Sequence, residues 1–231
     1  PDGYTFLLVF DTHGVNPSLI PNMPFDTLKD LAPIMLIGKS PMVITAHPSF
    51  PYKSLAEVLR LAKAKPGAVT FGTIGSGSLA HLAMAMIAGH ARVELTHIPY
   101  KGGGPLIINA VGGHVPMAIA SLALFMPHIQ SGRLKPIGIT SPRRHPQLPN
   151  VATVAEQAMP GFDAEAWWGL LAPLNTPAPI LLRMHAEVTK ALKTPALQQQ
   201  LDQQALGVIA SSPDEFQKFL VSEVERWARV V

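Results

Sequence analysis

Between residues 40 and 160, short apolar runs alternate with helix-like segments, and few folds are compatible with that pattern. Apolar runs at 68–72, 93–98, 115–120 and 135–140 have the length and branched composition of buried strands. Helical patterns that open on Ser or Pro and close on Gly fill the intervals. Such alternation is typical of parallel βαβ units, so we predict an α/β domain here.

The flanking regions carry a different pattern. Residues 4–10 predict a buried strand, and 33–38 and 42–46 predict two strands separated by Lys39-Ser40-Pro41. Residues 164–172 predict an extended segment, and the last 55 residues are mostly helical. Helix starts are predicted by capping signals at Ser54–Glu57, Thr153–Glu156 and Ser212–Glu215.

Composition excludes several classes of protein. The 231 residues are 48% hydrophobic and 14% charged with a net charge of +3, which excludes disorder and makes nucleic acid an unfavourable partner. Because there is no cysteine, disulfides, Cys-ligated zinc and thiol catalysis are excluded. No apolar run reaches the roughly 20 residues that span a bilayer. The start, Pro1-Asp2-Gly3-Tyr4, is no signal peptide and is typical of a mature or trimmed chain.

A glycine-rich turn, Gly72-Thr73-Ile74-Gly75-Ser76-Gly77-Ser78, follows a predicted strand and opens a predicted helix. Backbone N–H groups and the helix dipole at such a turn favour a bound anion. In parallel sheets, ligands bind at these strand-to-helix turns. We therefore place a ligand site here, although a plain flexible turn would have the same composition.

The same turn resembles two motifs of enzymes. Gly75-x-Gly77-x-x-Ala80 resembles a dinucleotide fingerprint, but Glu94 lies inside the next strand instead of at its end. The nucleophile elbow G-x-S-x-G fails, since Ile74 and Ser78 stand at the two glycine positions. We predict no catalytic residue, while a nucleotide-cofactor enzyme stays open as the alternative.

Two further segments have polar or glycine-rich residues at strand ends. Pro99-Tyr100-Lys101-Gly102-Gly103-Gly104-Pro105 is a second strand-to-helix turn that can face the same crevice. Asp11-Thr12-His13-Gly14-Val15-Asn16-Pro17 follows the first strand and has polar side chains at a strand end, where ligands also bind, although Asp11 or Asn16 could simply be turn formers. His13 could be a general base, but no partner acid or nucleophile is evident.

Histidines and tryptophans raise two other possibilities. His81, His90 and His97 lack metal-ligand spacing, so we predict no metal and no cofactor. Of Trp167 and Trp168, we expect one to wall a pocket and one to fill the core.

Many ordered segments together resemble the Bug receptors, the periplasmic substrate-binding proteins of tripartite tricarboxylate transporters. The resemblance extends over essentially the whole chain and includes residues 1–5, 13–17, 41–44, 47–48, 53–57, 65–67, 72–78, 81–83, 97–103, 127–129, 139–141, 148–151, 160–162 and 168–173.

This resemblance implies a type II periplasmic-binding-protein fold with two α/β domains and a ligand cleft between them. The discontinuous domain I would comprise 1–41 and 166–231, and domain II 42–165. The implied ligand is a small carboxylate: an amino acid, a dicarboxylate, or a citrate-like or aromatic acid. The implied partners are the membrane components of the transporter, with a signalling partner as an alternative.

The sequence departs from the family pattern in two places. The family has several dozen residues before Pro1-Asp2-Gly3-Tyr4, so we expect an incomplete domain I, and pairing with another chain in place of a monomer becomes possible. A family-typical Asp-Asn is Ala120-Ser121 here, which makes Ser121 the expected pocket residue. The ligand-binding residues we predict are Thr12, His13, Thr73, Gly75, Ser76, Gly77, Ser78, His81, Tyr100, Gly102, Gly103, Ser121 and Trp167.

Overall fold

A computed structural model describes residues 2–231 of the chain. These residues divide into two compact units with mixed α/β structure. Unit 1 combines the residues up to Lys39 with Ala166–Val231, and unit 2 is Ser40–Glu165. Among residues 2–231, no helix is both long enough and apolar enough to cross a membrane.

Unit 2 contains a five-stranded sheet with the order β6-β2-β5-β3-β4. Its strands are the end of β2 (Leu31–Ala46), β3 (Thr70–Thr73), β4 (Thr96–Pro99), β5 (Met117–Ser121) and β6 (Lys135–Ile139). Its helices are α2 (Leu55–Ala64), α3 (Leu79–Ala91), α4 (Gly103–Val111), α5 (Leu122–Gln130) and α6 (Val154–Gln157).

The predicted parallel arrangement holds for the strands that carry the candidate turns. β3 is parallel to both β4 and β5, with Phe71 opposite His97 and Met117. β2 is the exception, because it runs antiparallel to β5 and β6. Parallel strands need long crossover connections, and α3 and α4 supply them. The carboxyl ends of β3, β4 and β5 therefore lie at one edge of the sheet.

Unit 1 contains a smaller sheet in the order β1-β7-β2-β8, flanked by helices. Its further elements are β1 (Leu7–Phe10), α1 (Thr12–Leu19), β7 (Glu165–Pro173), α7 (Ala178–Leu192), α8 (Pro195–Gln203), β8 (Gly207–Val208) and α9 (Pro213–Ala228). α9 buries Phe216, Leu220, Glu223 and Trp227, which recur at helical spacing on one side.

Two predicted strands, 33–38 and 42–46, are one strand in the structure, so the prediction of a break at Lys39-Ser40-Pro41 was wrong. Pro41 has no N–H and can interrupt a sheet. Here it falls between the ladder that pairs Lys39 with Gly207 and the ladder that pairs Met42 with Ser121. The strand tolerates proline because it changes partners at that point.

Two predictions near the amino terminus were also wrong. No turn forms at Asn16, one of the two possible turn formers, because Thr12–Leu19 is a helix with Pro17 inside it. The strand predicted as buried over 4–10 covers only Leu7–Phe10, and of its side chains only Val9 is buried. β1 pairs with β7 at the edge of the sheet, which leaves its other residues exposed.

Candidate functional site

The candidate site in unit 2 is the sheet edge where β3, β4 and β5 end. A helix follows each strand, after a turn for β3 and β4 and directly for β5, with its N-cap at Ser78, Gly102 and Ser121, respectively. The first N–H groups of a helix have no intrahelical acceptor, and the helix dipole is positive there. The turns at 72–78 and 99–105 contain no Asp or Glu, and Lys101 is their only charged residue. This edge therefore favours a negatively charged group.

The Gly72–Ser78 turn is held by its own hydroxyl groups. Thr73 Oγ1 donates to the Gly75 carbonyl at 3.0 Å and accepts from the Gly75 amide at 3.2 Å. Ser78 Oγ donates to the same carbonyl at 2.7 Å and accepts from the His81 amide at 3.3 Å. Thr73 is fully buried, so its predicted contact with a ligand is corrected to a structural role inside the turn.

The amides of the turn are not equally free. The Gly75 amide is bonded to Thr73, and the Gly77 amide donates to His81 Nδ1 at 3.2 Å. Ser76 is exposed, and neither its amide nor its hydroxyl has an acceptor within residues 2–231. Ser76 therefore offers the turn's free donors, while Gly75 and Gly77 provide its shape; Gly77 does so with a φ of 73°.

The second turn lies beside the first, as predicted. The Tyr100 amide donates to the Thr73 carbonyl at 3.0 Å, and the Gly102 amide donates to the Ile74 carbonyl at 3.1 Å. A Cβ at Gly72 would lie 2.9 Å from the Tyr100 ring, so glycine is needed for this approach. Burial raises the pKa of Tyr100, and its hydroxyl has no partner in the described part of the chain. It is therefore available as a protonated donor.

Ser121 completes the edge. It is the N-cap of α5, yet its side chain makes no capping bond. α5 begins close to the start of α4, since a Cβ at Gly103 would lie 3.0 Å from Leu124. Ser40, which no sequence motif indicates, lies two residues before Met42, the ladder partner of Ser121. The Ser40 hydroxyl is buried and has no partner among the described residues.

A stack of rings lies behind the first turn. The ring centroids of His81 and His97 are 4.0 Å apart, with an angle of 16° between the ring planes. The Phe71 ring also stacks on His97, with the centroids 5.1 Å apart. His97 Nε2 lies 2.7 Å from Thr73 Oγ1. Burial lowers the pKa of both histidines, and His81 lowers that of His97 further. Within residues 2–231 no group of three His, Cys, Asp or Glu side chains is placed to hold a metal.

His97 was not predicted as a site residue. The sequence raises it as a metal ligand, together with His81 and His90, and the spacing of these three histidines does not support a metal. Its position opposite Phe71 in the β3–β4 ladder brings it next to the turn, and only the register of that ladder reveals this. The available signal was its place three residues before Tyr100 at the end of a predicted strand.

The predicted site residues of unit 1 have a different environment. His13 is buried, stacks on Phe25 at 6.2 Å, and has a buried Nε2 atom without a partner in the described structure. Thr12 is exposed at the start of α1, and its ligand contact stays a prediction. Trp167 is 1% exposed and donates to Glu223 Oε2 at 3.1 Å. Its predicted pocket role is therefore corrected to a core role.

Sequence comparisons agree with this architecture. A family model described as the tripartite tricarboxylate transporter family receptor, TctC, matches residues 1–231. A UPF0065 protein from the tcbD-tcbE intergenic region of Pseudomonas sp. strain P51 is 34% identical over 231 residues, 100% of this chain and 69% of that protein. Protein BugT of Bordetella pertussis is 33% identical over 232 residues, 100% of this chain and 71% of that protein.

Solved structures show the same fold. The periplasmic binding protein BugD matches with a TM-score of 0.87 and 29% identity over 99% of this chain and 77% of BugD. An R. palustris protein solved with adipate has a TM-score of 0.88 and 27% identity, covering 99% and 77% of the two chains. MatC from Rhodopseudomonas palustris, with bound malate, has a TM-score of 0.87 and 28% identity, covering 100% and 80%.

Proposed function

The chain belongs to the tripartite tricarboxylate transporter receptor family, and from this premise we propose that it captures a small carboxylate for transport. The resemblance to Bug receptors and the periplasmic-binding-protein fold predicted from sequence are both confirmed. The proposal places the ligand at the sheet edge of unit 2, where three helices begin.

One observation carries this proposal: unpartnered hydrogen-bond donors lie at one sheet edge, where helix dipoles are positive and the two glycine-rich turns contain no Asp or Glu. The donors are the amide and hydroxyl of Ser76, the hydroxyl of Tyr100 and the hydroxyl of Ser121. Hydrogen bonds from neutral donors to an ionised carboxylate are about twice as strong as bonds between neutral groups. The edge can thus hold a carboxylate without an arginine.

The geometry supports binding over catalysis. The hydroxyls of Thr73 and Ser78 are engaged with the Gly75 carbonyl. Thr73 also bonds the His97 imidazole, but both hydroxyl residues are buried inside the turn, where a nucleophile would not reach a substrate. A dinucleotide would need the amides of the glycine-rich turn for its pyrophosphate. The Gly75 and Gly77 amides are already bonded to Thr73 and His81. This occupancy weakens the nucleotide-enzyme alternative.

The chemistry of the ligand follows from the structural relatives. One solved relative contains adipate and another contains malate, both small dicarboxylates. We extend this class to the present chain, with the periplasm as its place of action and the membrane components of a tripartite transporter as its partners. The family description and the relative described as a periplasmic binding protein support both parts of the proposal.

Isothermal titration of the full-length protein tests the proposal. The panel comprises malate, adipate, citrate, glutamate and benzoate, with malamide as the uncharged match to malate and NAD as the probe of the nucleotide alternative. We expect at least one acid to bind in the micromolar range or tighter, and malamide to bind far more weakly. Binding of NAD with no response to any acid would overturn the proposal.

A further inference from the structure

Two imidazole rings support the glycine-rich turn from behind, each through a different glycine. His81 Nδ1 accepts the Gly77 amide at 3.2 Å. His97 Nε2 bonds to Thr73 Oγ1 at 2.7 Å, and that hydroxyl bonds both the amide and the carbonyl of Gly75. Gly75 and Gly77 flank Ser76, so the two rings together determine how Ser76 is presented.

The hydrogen bonds determine the protonation state of His81. A backbone amide can only donate, so His81 Nδ1 must carry a lone pair, and the neutral ring has its proton on Nε2. A second proton, on Nδ1, would make this atom a donor that faces the Gly77 N–H, so the hydrogen bond to Gly77 would be lost. Thr73 Oγ1 has one hydrogen to share between the Gly75 carbonyl and His97 Nε2, so His97 bonds to Thr73 as donor or acceptor according to its tautomer.

We propose that the His81–His97 pair is a positioning device that keeps the Gly72–Ser78 turn competent for carboxylate only while His81 is uncharged. This inference rests on the proposed function and adds a pH dependence to it. Protonation of His81 breaks its hydrogen bond with the Gly77 amide and so weakens carboxylate binding. His81 and His97 are therefore positioning residues that act through the turn, and Ser76 makes the contact with the ligand.

The surroundings of the pair favour its uncharged form. The rings lie 4.0 Å apart, so a charge on one disfavours a charge on the other. β3 and α4, which pack together beside the pair, contain no ionisable side chain. α3 and β4 add only His90, at the far end of α3, and the pair itself. Of the residues bordering β4, Glu94 lies beside Gly67, and Tyr100 and Lys101 belong to the ligand edge.

Two substitutions of His81 distinguish the effect of losing the hydrogen-bond acceptor from the effect of losing the titratable group. His81→Asn keeps an acceptor near the position of Nδ1 and cannot titrate, whereas His81→Leu keeps apolar volume and loses the acceptor. His90→Asn removes an exposed histidine at the other end of α3 and is the matched control. Affinities for malate and adipate are measured by calorimetry at pH 7.5 and pH 5.0 with the full-length protein.

We expect wild type and His90→Asn to lose about tenfold more affinity than His81→Asn on acidification, because the competent fraction of the turn falls. At pH 7.5, His81→Asn should bind nearly as wild type, and His81→Leu about five- to tenfold more weakly for one lost hydrogen bond. The ratio of the wild-type affinity to the His81→Asn affinity at each pH cancels the titration of the ligand itself, because the same ligand is used for both proteins.

Three results would overturn the inference: equal binding by His81→Leu and wild type, equally poor binding by His81→Asn and His81→Leu, or parallel pH profiles for wild type and His81→Asn. Long-range ¹H–¹⁵N NMR of unliganded wild type is a further check, and a proton on Nδ1 of His81 at neutral pH would also contradict it. Failure of every variant and of wild type to bind any acid would instead refute the proposed function, while the NMR result would still test the pair.

Discussion

Gly75 is the residue whose substitution reports most directly on charge at the candidate site. It lies before the N-terminus of α3, and a Cβ built on it would meet, among the described residues, just the Tyr100 carbonyl, at 3.6 Å. Gly75→Asp adds a carboxylate where the ligand's carboxylate is proposed to lie. We expect affinity to fall tenfold or more, since repulsion of about 1.4 kcal/mol already has that effect.

Gly75→Ala is the matched control for this change, because it imposes the same backbone strain at φ 151° without the charge. Its affinity should fall much less than that of Gly75→Asp in the same calorimetric titration. If both variants bind alike, the anion does not lie near α3 and the site must be sought elsewhere.

Asp11 predicts a pH dependence of stability in unit 1. Burial, and secondarily the charge of Glu223, raises the pKa of Asp11 to about 7 from its ordinary value of 3.8. The folded chain therefore binds more protons than the unfolded chain between these values, and the Asp11 contribution to stability falls as the pH rises from about 4 to about 7. Asp11→Asn removes the titration.

In urea denaturation, Asp11→Asn should match wild type near pH 4 and be more stable than wild type at pH 8. Asp26→Asn is a control of opposite sign, because hydrogen bonds from Leu28 and Lys29 lower the pKa of the exposed Asp26. That carboxylate adds stability above its ordinary pKa and loses it as the pH falls. If the difference in the free energy of unfolding between wild type and Asp11→Asn does not change with pH, the raised pKa of Asp11 is refuted.

The Trp167-Trp168 pair shows what residue patterns can and cannot predict. Alternation along a strand indicates that neighbouring side chains point to opposite faces, so one buried and one accessible tryptophan follow from the sequence. Which of them is buried depends on packing against α9, where Trp167 meets Phe216 and bonds Glu223. No local signal contains that information.

Helix starts were the features of the elements that the sequence predicted best, because a capping bond joins residues only three positions apart. Thr153 and Ser212 form complete capping boxes with Glu156 and Glu215. Ser54 caps α2, but the Glu57 carboxylate bonds the Lys53 amide, so the predicted box there is only half formed. By contrast, α1 was missed because Gly14 and Pro17 are typical of turns, and tertiary contacts with α9 outweigh that preference.

Ser212→Ala tests the contribution of capping to α9. The Ser212 hydroxyl accepts the Glu215 amide at 3.3 Å, and its loss should destabilise the chain by about 1 kcal/mol. Ser222→Ala, which removes an exposed hydroxyl within the same helix, should cost much less. The free energy of unfolding in urea distinguishes the two variants, and equal losses would show that the cap contributes nothing specific.

At the scale of the whole molecule, the strand–helix alternation predicted the sheet edge, and the glycine-rich turns predicted the place of the site. Which hydroxyl groups bond within the turn and which stay free for a ligand could not be predicted. Thr73 and Ser78 have the same hydroxyl chemistry as Ser76, but only the folded turn shows that theirs is used internally. The same holds for His97, which the β3–β4 register brings to the turn.

The central claim is that a small carboxylate binds where α3, α4 and α5 begin, and amide NMR during a malate or adipate titration tests it most directly. We predict that the largest shifts occur at Ser76, Gly77, Gly103 and Ser121, with smaller changes in the amides of the adjoining helix turns. Saturable shifts confined to other parts of the chain, with these four amides unmoved, would contradict the account.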